Sequence, residues 1–91
     1  MNVRETIHQA VSFELNEFEG GRPKIVMEYG LGVDISSGGV GLSTDYPLRE
    51  GNVLKIYFPV SAGKARLPVF SEVVWLKPAP KGVKVGLRFL A

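Results

Sequence analysis

A chain of 91 residues, 45% apolar and 22% charged, has room for one globular core and no second domain. It has no cysteine, which excludes disulfides, thiolate zinc sites and a cysteine nucleophile, and its one histidine, His8, excludes a multi-histidine metal site within the chain. The net charge of +2 hides an uneven distribution: residues 1–50 carry four Lys/Arg against eight Asp/Glu, and residues 51–91 carry seven against one.

That asymmetry admits an anionic partner for the C-terminal half, although the basic residues are scattered and suit the wet faces of strands equally well. No apolar run approaches the roughly 18 residues of a membrane-spanning helix, and the N-terminus lacks the apolar core of a secretory signal. A cytoplasmic domain with no membrane partner is the expectation.

In chain order, residues 3–10 leave room for a turn of helix. Val11–Asn16 then alternates, with Val11, Phe13 and Leu15 on one face. Gly20-Gly21-Arg22-Pro23 breaks the pattern. Lys24–Tyr29 groups Ile25, Met27 and Tyr29, and the next apolar set is Leu31, Val33 and Ile35. Ser37-Gly38-Gly39 is a turn, and Val40–Thr44 leaves it as a further strand. Val53–Phe58 is apolar on both sides except at Lys55, so it is expected to be covered at least in part on both faces. Leu67–Leu76 is β-branched, with Pro68 fitting only its start or an edge. Lys77-Pro-Ala-Pro-Lys-Gly82 connects it to a last alternating segment, Val83–Phe89. Six or seven short strands in so small a chain point to a β-barrel or a sandwich.

Catalysis is hard to build from these residues. Ser36 and Ser37 have no imidazole near them in sequence, and nothing pairs Asp34 with a second carboxylate for acid–base work. No enzyme, cofactor or metal is expected. The segment Asp34-Ile-Ser-Ser-Gly-Gly39 says more. A carboxylate there can accept two N–H bonds from one edge of a guanine, the Ser36 hydroxyl can bond a phosphate or ribose, and glycine lets a flat ring approach the main chain. The same residues also suit an Asx or Ser turn that satisfies only its own backbone. The aromatics, Trp75 and Phe13, Tyr57, Phe58 and Phe89 among them, fall mostly on inward faces. Tyr46 and Phe70 are undecided, and Lys77, Lys81 and Lys84 read as a solvated hairpin tip.

Asp34-Ile-Ser-Ser-Gly-Gly-Val-Gly-Leu42, together with Ser71-Glu-Val-Val-Trp75 and Val83-Lys-Val-Gly-Leu-Arg-Phe89, resembles the PilZ domain family over about residues 4–90. The resemblance implies an all-β fold: a small six-stranded antiparallel split barrel over 11–90, with an N-terminal arm over 1–10. It implies a non-enzymatic domain that binds cyclic di-GMP. It puts Asp34 and Ser36 at guanine- and phosphate-facing positions and Gly39 at a close-approach glycine. The family's R-x-x-x-R arm reads Arg4-Glu-Thr-Ile-His8 here, so Arg4 matches the first arginine and His8 stands at the second.

Arginine is always charged and presents a planar fork of donors, whereas neutral histidine offers one donor and one acceptor. Affinity should therefore be reduced, by about ten- to a hundredfold for one charge-assisted contact. Many members of the family also carry a helix beyond the last strand, and this sequence stops at Ala91. Signalling is therefore expected through contacts with an unidentified protein partner in trans. Two rival expectations are an adaptor that has given up the nucleotide and, less favoured because the net charge is modest, a small barrel for single-stranded DNA or RNA.

Overall fold

Alternating sequence produces antiparallel ladders throughout. A computed structural model describes residues 5–58 and 68–90, with side chains from residue 9 onward in the first segment. Its six strands are β1 (Glu5–Glu19), β2 (Arg22–Ile35), β3 (Gly39–Thr44), β4 (Val53–Tyr57), β5 (Pro68–Ala79) and β6 (Gly82–Phe89). They close into a barrel in the order β1-β2-β3-β6-β5-β4, every pair antiparallel, as the resemblance implies. Closure gives every strand of the barrel wall a neighbour on both sides. No helix among the described residues is long and apolar enough to cross a membrane. The room left for a helical turn near residues 3–10 is taken by strand from Glu5 onward, because Glu5 and Thr6 pair with Ile35 and Asp34.

The core is filled from alternate positions. Val11, Phe13 and Leu15 of β1 meet Val40 and Leu42 of β3, Leu54 and Ile56 of β4, Val73 of β5, and Val85 and Leu87 of β6. Leu48, from the β3–β4 connection, is buried in the same cluster. Phe13 is fully buried and meets Tyr46 edge-on at 6.4 Å between ring centres. Ser71 is the exception inside: its fully buried hydroxyl finds no hydrogen-bond partner among the described residues.

On β2 the apolar row faces solvent. Ile25, Met27, Tyr29 and Leu31 point outward and are exposed, and Val26, Glu28, Gly30 and Gly32 take the inward row. Pairing fixes this phase. The two-residue Gly20–Gly21 turn, with φ of +61° and +80°, joins Glu19 to Arg22 and sets Phe13 opposite Glu28 and Val11 opposite Gly30. Gly30 then leaves space that the Leu42 side chain occupies: a Cβ on Gly30 would lie 2.9 Å from Leu42 Cδ1.

Candidate functional site

Strict alternation on β2 and β5 would have kept two polar or aromatic side chains off the surface that now presents them. On β2 the register shifts between Gly32 and Asp34: Gly32 faces buried Leu42, yet Asp34 pairs with Gly41 on the outward row. On β5 it shifts between Val73 and Trp75: Val73 faces buried Leu87, and Trp75 pairs with Gly86 outside. A bulge adds one residue to one strand and re-aims the side chains beyond it. Gly41 and Gly86 pair with each other across β3 and β6. One cross-strand row on the barrel exterior therefore reads Asp34, Gly41, Gly86, Trp75.

The two central glycines let their neighbours lean in. A Cβ on Gly41 would lie 2.9 Å from Asp34 Oδ1, and one on Gly86 would overlap the Trp75 indole. The expectation that Trp75 belongs to the core is corrected here: the residue is 39% exposed and its ring rests on glycine backbone. Lys77 Nζ sits 5.4 Å from the centre of that ring. Phe70 is exposed as well, whereas Tyr46, Phe58 and Phe89 pack against the core.

The row lies in a cleft of about 390 Å³ that also takes in Ser36, Gly39, Lys77 and Lys84. Its β2 bank is a carboxylate and its β5–β6 bank is an aromatic face with two ammonium groups. Arg88 is tied to Glu72 on the neighbouring strand at 2.5 Å, so its charge is already matched. A flat heteroaromatic ring with N–H donors on one edge and phosphates at the other end is complementary to this arrangement. Among the described residues no group of three or more His, Asp or Glu side chains could hold a metal ion.

Of the residues singled out from sequence, Asp34, Ser36 and Gly39 line the same cleft. Ser36 also does the local work anticipated for a Ser turn: its Oγ accepts the Gly38 N–H at 3.3 Å, and its own N–H donates to the Gly39 carbonyl at 2.9 Å. Gly39 is required by the barrel itself, because a Cβ there would collide with the Leu87 carbonyl oxygen of β6. Arg4 lies outside the described residues, as does the side chain of His8. The His8 backbone falls in the register shift of β1 between Thr6, paired with Asp34, and Gln9, paired with Gly32. Sequence reasoning missed Trp75, Lys77, Lys84, Gly41 and Gly86. The available signal was Gly41 and Gly86, glycines inside strands with no turn to serve.

No curated protein matches the chain. The family model for the PilZ domain matches residues 4–91, nearly the whole sequence. Domains of this family are non-catalytic and generally bind cyclic di-GMP. The chain belongs to the PilZ domain family.

Proposed function

We propose that this domain is a cytoplasmic receptor module for cyclic di-GMP that binds with reduced affinity and signals through contacts with another protein. The observation that carries the reading is the outward row of Asp34, Gly41, Gly86 and Trp75, with Ser36 and Lys84 at its margin. In this reading the Asp34 carboxylate accepts the N–H groups of one guanine edge. The Ser36 hydroxyl, still free to donate, meets a phosphate or ribose oxygen. Gly39 and Gly41 keep the floor shallow, and Trp75 supplies a stacking wall. Arg4 would hold a phosphate from the arm, and His8 would stack on a base with little charge near neutral pH. The backbone pairing of Thr6 with Asp34 supports an arm that starts beside the carboxylate.

Calorimetric titration with cyclic di-GMP tests this. Binding heat is expected, with Asp34→Ala weakening affinity about tenfold or more and His8→Arg strengthening it by about ten- to a hundredfold. Absence of heat and of any spectral change at high micromolar nucleotide overturns the reading. His8 in place of the second arginine favours one rival, the protein adaptor that ignores nucleotide. Its signature is a protein partner captured equally well with and without cyclic di-GMP.

A further inference from the structure

Two outward rows lie side by side on the floor of the cleft. The first is Asp34, Gly41, Gly86 and Trp75. The second is one step along the strands, because outward positions recur every two residues. On β6 it holds Arg88, which pairs with Gly39 of β3 on one side and with Glu72 of β5 on the other. Ser36 joins it beyond Gly39, donating its backbone N–H to the Gly39 carbonyl. The second row therefore reads Ser36, Gly39, Arg88, Glu72, and glycine puts no side chain between the hydroxyl and the guanidinium. Arg88 is the only arginine among the described residues that line the cleft.

Two anions can compete for this guanidinium. In the free domain Arg88 Nη2 donates to Glu72 Oε1, with the two side chains 59% and 33% exposed. An ion pair so open to water contributes little and exchanges readily. A phosphate over Gly39 lies on the opposite side of β6, where it offers two oxygens to the same planar fork of donors. The Ser36 oxygen accepts the Gly38 N–H, and its hydroxyl proton can go to that phosphate. A cation is wanted there, because the arm supplies His8, a side chain mostly uncharged near neutral pH. Lys77 and Lys84 do not serve the place: they pair with each other across β5 and β6 on the far side of the Asp34–Trp75 row.

We propose that Arg88 is the second cation of the nucleotide site and that Glu72 holds it in reserve. On binding of cyclic di-GMP the guanidinium leaves the Glu72 carboxylate and crosses β6 to a phosphate seated over Gly39 beside Ser36. The inference rests on the receptor reading of the cleft and adds a competition to it. The ligand gains the cation only by displacing an internal carboxylate, so Arg88 is a binding residue and Glu72 a positioning residue that lowers affinity.

Calorimetric titration of the whole chain with cyclic di-GMP, run as a double-mutant cycle, tests this. Arg88→Gln should weaken binding about tenfold, through loss of one charge-assisted contact. Glu72→Gln should strengthen it about fivefold, since no ion pair has to be broken. In the Arg88→Gln background, Glu72→Gln should change affinity by about twofold at most, because only long-range repulsion is left to remove. Arg88→Lys keeps the charge without the fork and should recover only part of the affinity. Near-ultraviolet circular dichroism checks that each variant is folded. Binding by the parent that Arg88→Gln leaves unchanged overturns the inference and leaves the receptor reading in place. So does a Glu72→Gln variant that binds no tighter than the parent, or a Glu72→Gln gain that survives in the Arg88→Gln background. A folded chain that gives no heat, both as parent and as Glu72→Gln, overturns the inference and the receptor reading together.

Discussion

Gly86 shows how one absent side chain shapes the surface. The Trp75 indole occupies the place where a Cβ would sit. Gly86→Ala must therefore turn the ring outward, since the β6 backbone beneath it is held in two ladders. Trp75 is the sole tryptophan of the chain, so its fluorescence reports this directly: a red-shifted emission maximum is expected, together with weaker nucleotide binding if the indole walls the site. Tyr46 is a second case. Burial of its phenol, and then the hydrogen bond to Glu17 at 3.0 Å with the charges of Glu17 and Glu28, raise its pKa above the ordinary value of 10.0. The unfolded chain thus releases the phenolic proton at a lower pH than the folded one. The contribution to stability is complete below about pH 10 and disappears as the pH climbs through the raised folded value. Tyr46→Phe should cost about 1 kcal/mol at neutral pH through the lost hydrogen bond. The gap between parent and variant should close in alkali, as monitored by urea denaturation from about pH 8 to 11.

At the scale of elements, turns and bulges decide which way each strand faces. Gly20 and Gly21 both have positive φ with open space around them, so the turn requires glycine for conformation and not for contact. Replacing both by alanine should cost about 2–4 kcal/mol, at roughly 1–2 kcal/mol for each left-handed residue, and an Asn-Gly turn should cost far less. Denaturant midpoints of the two variants would show it. These same features separate what was legible in the sequence from what was not. The inward sets of β1 and β6 could be read directly, because Val11, Phe13 and Leu15, and Val83, Val85 and Leu87, alternate without interruption. On β2 the apolar residues Ile25, Met27 and Tyr29 alternate equally well but face outward, since register with β1 outranks hydrophobicity where the ribbon leaves the barrel. Asp34 and Ser36 were legible as a local motif. Their outward partner Trp75 was not, because the bulge at Val74 breaks the alternation from which its facing was inferred, and only the ladder brings positions 34, 41, 86 and 75 into one row.

For the molecule as a whole, the barrel is a rigid floor and the nucleotide reading assigns the rest of the grip to the arm. The wall strands are tied to one another on both sides, and the β5–β6 bank carries Lys77 and Lys84 beside the cleft. A ligand held by Asp34 on β2 and by the opposite bank bridges strands that are far apart in sequence, so it opposes global unfolding and not merely local fraying. Linkage sets the size of the effect. A ligand that binds only the folded chain adds about 2.7 kcal/mol at roughly one hundred times its dissociation constant. A domain of this size gains roughly 4–8 °C in Tm per kcal/mol, so saturating cyclic di-GMP should raise Tm by about 10–20 °C. At the same nucleotide concentration Asp34→Ala, if about tenfold weaker, should lose about half of that increment, and more if weaker still, whatever it does to the unliganded protein, because the increment compares each variant with itself. Added salt should shrink the increment as it screens the dianionic ligand from Lys77 and Lys84. A Tm that does not move with nucleotide, in a chain that folds cooperatively, would leave the row of Asp34, Gly41, Gly86 and Trp75 as a surface for protein contact.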